Sequence, residues 1–369
     1  MKSTKTFIVI IIFAIGIFLQ TGAQETGKKP YRTKWVKSAV GYSDEFLTTN
    51  EAKRIADNVM LYQHDNGGWE KNIQMADVMK RKDIKRAKRM KADTLETTID
   101  NGATTTEINF LSRMYQATGR NEYKNAAIAG IRYLLKAQYD NGGWPQFYPR
   151  PYGYYTHITY NDNAMINVMR TLSNVSEGNK PFEYIEEEIR HKAKIAVDKG
   201  VECILNTQYR QNGKLTVWCA QHDEYTLKPA KARAYELPSL SGDESDGIVL
   251  FLMSIENPSE RVKTAIESAI EWFKRARILG LHHVYFTNDE GKRDYRMETC
   301  PQGDFICEPL WARFYTLDTN RPFFSDRDGR IVFSVSDIGY ERRNGYKWYN
   351  CDGTTVLDEY RKWKIRIGR

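Results

Sequence analysis

The chain has 369 residues, a formal charge of +8, and 41% hydrophobic and 12% aromatic content. That length holds one large domain or two smaller ones, and the mild basic excess suits an anionic partner. Nucleic acid is not indicated, because zinc-ligand spacing, an RNP motif and a long basic run are all missing; five cysteines are too few for a disulfide scaffold.

Lys2 and Lys5, the apolar run Phe7 to Phe18 and the small residues Thr21-Gly22-Ala23 have the layout of a signal peptide over residues 1–23. A membrane helix needs about 20 apolar residues, more than this run supplies. No Cys follows it to carry a lipid. The expectation is an exported protein, periplasmic or secreted, monomeric, with no membrane span after cleavage and a formal charge of +6. Residues 24–46 read as an N-terminal extension and 47–369 as the catalytic domain.

Helical periodicity then runs nearly throughout. Capping-box patterns stand at Thr48-x-x-Glu51, Thr104-x-x-Glu107 and Ser241-x-x-Glu244, each ahead of apolar residues at helical spacing. Asn257-Pro258-Ser259-Glu260 opens another helix, with proline at its first position. The basic stretch Lys80 to Lys91 reads as a solvated helix or loop. Asn-Gly-Gly-Trp ends two helical stretches, at Asn66 to Trp69 and Asn141 to Trp144, and a weaker copy ends at Trp218. The tryptophans lie 75 and 74 residues apart, room for two helices and their loops. The chain therefore reads as three helical hairpins closing into an all-α barrel or toroid. The tryptophans are expected as packing wedges, with Trp69, close to Lys71, also a candidate sugar platform.

Closure gathers the helix starts of one ring at one rim. Asp100-Asn101, Asp162-Asn163 and Asp243-Glu244 meet there, either as N-caps or as oxygen donors for a hard cation such as calcium. The nearby Lys228 to Arg233 run is either a solvated turn or a carboxylate pocket, in which Arg233 grips bidentately. Cys300 with Cys307, or Cys203 with Cys219, can pair after export.

Four blocks, DNGATTTE at Asp100 to Glu107, YNDNAM at Tyr160 to Met165, the segment from Trp218 to Ser245, and LWARFYTLDTNRP at Leu310 to Pro322, resemble pectate lyases of polysaccharide lyase family 10. The resemblance runs from about Leu47 to the C-terminus. It implies an (α/α)3 barrel and a calcium-dependent enzyme that cleaves polygalacturonate, the backbone of pectin, by β-elimination. By that resemblance Arg233 is the base, Asp162 the main Ca2+ ligand, and Asp100 and Asn101 further metal residues. Asp100 also acts near the scissile uronate. Lys71, Arg313 and Arg321 are the expected grips on substrate carboxylates. A guanidinium base conflicts with its ordinary pKa above about 12, so the role rests on the motif. Glu70 stands where the family pattern leads us to expect proline, and Glu298 to Cys307 is unusual. Rival readings are a terpene cyclase, which lacks its Asp-rich motif here, a helical-barrel glycoside hydrolase, and a non-catalytic uronate-binding protein.

Overall fold

The long helices alternate along the chain between two packed layers. In the computed structural model, which describes residues 34–301 and 307–368, the helices among the described residues number twelve. They are α1 (Trp35–Gly41), α2 (Asp44–Leu47), α3 (Asn50–Tyr62), α4 (Arg81–Met90), α5 (Thr105–Thr118) and α6 (Asn121–Ala137). There follow α7 (Ala164–Glu177), α8 (Glu187–Thr207), α9 (Glu244–Ser254), α10 (Glu260–Arg275), α11 (Tyr340–Asn344) and α12 (Asp352–Arg366). Most of α5, α7 and α9 is buried, whereas the long α8 buries a single stripe. Accordingly α1, α5, α7, α9 and α12 follow one another as an inner layer, and α3, α6, α8 and α10 wrap outside. The pairs α5/α6 and α7/α8 are expected hairpins of the helical toroid, the first expected hairpin ends in α3, and α9/α10 adds a further pair beyond the three motif copies.

The repeated motif explains how successive hairpins lock together. Gln63, Gln138 and Gln208 each end an outer helix, and each side-chain amide donates twice. One bond returns to the motif's own loop, at the carbonyls of Gly67, Gly142 and Thr216. The other crosses to the next outer helix, at the carbonyls of Ala126, Ala196 and Ala265. Gly67 and Gly142 have φ of +92° and +90°, and a Cβ there would meet a carbonyl of that next helix at 2.4 and 2.0 Å. Only glycine combines that conformation with that approach. The third copy solves the turn differently: Asn212-Gly213, both at positive φ, forms a tight hairpin between Arg210–Gln211 and Lys214–Leu215.

Each motif tryptophan is fully buried and donates its indole N–H back to its own outer helix. Trp69 bonds the carbonyl of Val59, Trp144 that of Leu134 and Trp218 that of Ile204, at 2.7–2.8 Å. They are packing wedges, and Trp69 offers no face to a sugar. Trp311 makes the same contact with Phe273 on α10, although no Asn-Gly-Gly precedes it.

The helical expectation fails between α10 and α11. Leu281–Thr287 and Arg293–Thr299 form an antiparallel hairpin. Four short strands pair in the order Ile331–Val332, Pro322–Ser325, Phe314–Tyr315, Leu240–Ser241. Aromatic-rich segments such as His282 to Phe286 favour a pleated, half-buried surface over a helix. Phe314, Phe323, Phe324 and Trp348 build a second small core beneath them.

Smaller details also differ. Thr49, not Thr48, caps α3, and Pro258 precedes the cap Ser259 of α10 rather than following it. Trp35 and Ala39, in the stretch set apart as an extension, are buried in the main core. Cys300 and Cys307 are bonded, leaving Cys203, Cys219 and Cys351 as thiols. The Lys80 to Lys91 segment is largely the exposed helix α4. The signal-peptide segment lies outside the described residues. Among those described, no helix is long and apolar enough to cross a membrane.

Candidate active site

The inner helices are entered through two nearly identical turns. Before α5 the chain turns at Asp100–Gly102 with Asn101 at φ +52°; before α7 it turns at Asn161–Asn163 with Asp162 at +51° and Asn163 at +59°. Asn and Asp tolerate this left-handed region better than other side chains with a Cβ. The two turns pack on each other, and the second packs on α9. The acidic helix starts thus converge as the toroid requires.

They are not ordinary caps. The cap positions of α5, α7 and α9 are Thr104, Asn163 and Asp243, and none of these side chains accepts a helix N–H. Thr104 instead donates to the carbonyl of Thr98 and accepts from the Trp69 amide, so its predicted capping box with Glu107 does not form. Glu107 accepts from the Trp35 indole at 2.5 Å. Burial pushes its carboxyl up to about 7.

Arg313 is the hub of the acidic rim. Its guanidinium reaches Glu244 directly, Asp243 at 3.2 Å, Asp162 at 3.5 Å and the side-chain oxygen of Asn161 at 3.2 Å. Its side chain is 5% exposed, so it is not an open grip for a ligand; it neutralises and orients the acids. Burial alone lowers its pKa, but Glu244, Tyr346, Asp243 and Asp162 together outweigh that and keep it charged. Asp162 keeps a 42% exposed side chain, with one oxygen held by the Asn161 amide at 2.8 Å.

From Arg313 a contact chain leads to Arg233. The Tyr346 ring lies 4.6 Å from the Arg313 guanidinium, and its hydroxyl donates to Glu236 at 2.8 Å. Glu236 in turn accepts from Nε of Arg233 at 2.8 Å, from a terminal nitrogen and from the Arg233 amide. Burial pulls the Arg233 pKa down, but the Glu236 bonds and charge win, and the guanidinium is held above its ordinary value. Arg233 remains 43% exposed.

Lys71 closes the other side, paired with the buried Asp100 carboxylate. Its ammonium lies 5.2 Å from the Phe147 ring, which packs edge-on against Tyr155, itself beside Tyr154. Burial raises the Tyr154 phenol above its ordinary pKa, and Arg233 and Glu236 act on it electrostatically. Arg321 stands apart: it is exposed, three positions along the sheet ladder from Arg313, and stacks on Phe333 at 3.5 Å. Glu70 pairs with His64 at 3.3 Å, which fixes the first loop without a proline. Beside the acids lies a cleft of about 590 Å3, lined by Trp35, Glu70, Asn72, Asn101, Glu107 and Asp162.

Asp162 and Asn101 place hard oxygen donors at the open rim, the donor type that suits a calcium ion keeping part of its shell for water and ligand. Asp100 joins such a set only by sharing its oxygens with Lys71. Sequence reasoning missed Glu236 and Tyr346 as parts of the site. Glu236 lies three residues from Arg233 in a turn and was within reach of inspection; Tyr346, more than 100 residues away, left no local signal.

This arrangement has relatives. Residues 63–357 match the pectic acid lyase family. A family 10 polysaccharide lyase from Cellvibrio cellulosa is 35% identical, with a TM-score of 0.74 over 89% of this chain and 94% of its own. A variant of that lyase from the same organism, in complex with trigalacturonic acid, is 34% identical with the same TM-score, over 89% of this chain and 95% of its own. No curated protein matches the chain. With the family match over most of its length and relatives above 30% identity, the chain belongs to the pectic acid lyase family and is a polysaccharide lyase.

Proposed function

We propose that this protein is an exported, monomeric, calcium-dependent pectate lyase that cleaves polygalacturonate by β-elimination, releasing 4,5-unsaturated oligogalacturonides. The observation that carries the proposal is the packing of the Asp100 turn on the Asp162 turn, with Asn101 and Asp162 on the wall of one open cleft and Lys71 paired to Asp100. The neighbour bound to trigalacturonic acid supports a uronate substrate.

Asp162 with Asn101, and Asp100 beside them, would hold a Ca2+ ion. When bound, it withdraws charge from the C6 carboxylate and so acidifies the proton on C5. Lys71 grips a neighbouring uronate carboxylate, and the exposed Arg321 meets one further along the chain. Arg313 acts through Asp162 and Asn161, which it positions. Arg233, in its neutral form, takes the C5 proton; the electron pair becomes the C4–C5 double bond, and the C4 oxygen leaves to be protonated by water. Glu236 opposes this step while it grips the guanidinium, so release of that ion pair accompanies catalysis.

The test incubates the mature chain with polygalacturonate at alkaline pH, with calcium and with chelator, alongside Arg233→Ala. Calcium-dependent ultraviolet absorbance of the unsaturated product, lost in the variant, is the expected result. New reducing ends without absorbance mean hydrolysis and overturn the proposal.

A further inference from the structure

A second group of metal-ligating side chains lies on the chain segments that feed this cleft. Ile158–Thr159 pairs antiparallel with Gln221–His222, Ile158 opposite His222. His157, just before the first strand, therefore faces Asp223 and Glu224, just after the second. One ligating atom from each of the three lies within 4.8 Å of the other two. The His157 Nδ1 and a Glu224 oxygen are 3.0 Å apart. A metal about 2.1 Å from tetrahedral ligands separates adjacent ligand atoms by roughly 3.4 Å, so this hydrogen-bonded pair has to part by only a few tenths of an ångström to admit one.

The carboxylates are prepared for a cation they lack within the protein. Among the described residues neither Asp223 nor Glu224 pairs with a lysine or arginine; Glu224 pairs with His157. Asp223 is oriented through one oxygen, which accepts from the amides of Tyr225 and Thr226 and from the Thr226 hydroxyl. Glu224 is anchored by its own carbonyl, which accepts from Asn141. Both carboxyls sit below their ordinary pKa. For Asp223 the chief cause is the Thr226 amide; for Glu224 burial works the other way, and His157 and neighbouring bonds outweigh it.

We propose that His157, Asp223 and Glu224 form a second divalent-cation site, separate from the calcium rim and selective for a zinc-class ion. The imidazole nitrogen sets the class, since calcium takes oxygen ligands while zinc accepts imidazole with carboxylates and leaves a position for water. Its place in the chain gives it a role. Asp162 follows His157 by five residues, and Arg233 follows Glu224 by nine. An ion at this point staples the segment carrying the candidate calcium acid to the one carrying the candidate base.

Zinc binding itself tests the site, independently of whether the chain cleaves polygalacturonate. The full chain, stripped with chelator and restored with calcium, is titrated with zinc chloride by calorimetry, and its melting temperature is followed. We expect one zinc per chain, a rise in melting temperature, and affinity weaker by about tenfold or more in His157→Ala and Asp223→Asn. Asp223→Asn preserves the oxygen that orders the turn, so it carries the test if His157→Ala fails to fold. Asp162→Asn is expected to leave zinc affinity unchanged. No saturable zinc binding, binding that survives the His157 and Asp223 changes, or binding lost only in Asp162→Asn overturns the proposal.

Discussion

Glu236→Gln separates a charged arginine from a catalytic base. Glu236 holds Arg233 through two side-chain bonds, at 2.8 and 2.5 Å, and keeps its pKa above the ordinary value. Removing the carboxylate charge lowers that pKa, because the burial that opposes Glu236 remains. Hydrogen bonds to charged groups contribute about 1.5–3 kcal/mol. Arg233 is 43% exposed, so solvent screening cuts this to roughly half, about 0.8–1.5 kcal/mol or up to about one pH unit. The assay is the initial rate of unsaturated product formation against pH, at saturating calcium. The alkaline rise of kcat/KM is expected up to about one unit lower in the variant, whatever happens to its plateau. A plateau that falls while the rise stays in place means that Glu236 only positions Arg233. A rise displaced to higher pH refutes the reasoning outright.

Three further outcomes follow from the same contacts. Arg313→Met leaves Glu244 buried without its cation and is expected to lower stability by about 3–5 kcal/mol in urea unfolding; unchanged stability with a raised KM instead makes Arg313 a direct substrate grip. Glu107 has a folded pKa raised from 4.5 to about 7, so the native state binds its proton more tightly and stability falls as pH rises across that window. Glu107→Gln keeps an acceptor for Trp35 and removes the penalty, so it is more stable than the parent at pH above about 8, by about 3 kcal/mol, and closely similar near pH 4.5. Gln138→Ala loses the bonds to Gly142 and Ala196, at 3.0 and 2.8 Å, and is expected to cost about 2 kcal/mol in the same unfolding assay, with a Gln138→Glu control testing the donor role.

What the sequence determined by itself is the toroid and the place of its busy rim. The devices that build it are short-range: each motif tryptophan bonds a carbonyl 10 to 14 residues back, and each glutamine bonds a loop four to eight residues on. Contacts of that range recur with the hairpin period and leave a visible repeat, and the turns bearing Asp100 and Asp162 recur with it. The strand-bearing segment between α10 and α11 has no such repeat, and helical expectation overran it. Tertiary structure alone decided how the rim is wired. Arg313 meets Asn161 across 152 positions and Tyr346 meets Glu236 across 110, so neither partner is marked in the other's neighbourhood. It also decided which arginines are open. Arg313, Arg233 and Arg321 carry the same charge and the same donors, but their burial differs because one lies beneath the acidic turns, one pairs with Glu236 in a turn and one stands on the outer ladder. Side-chain chemistry is written residue by residue; access to solvent and ligand is a property of everything packed around it.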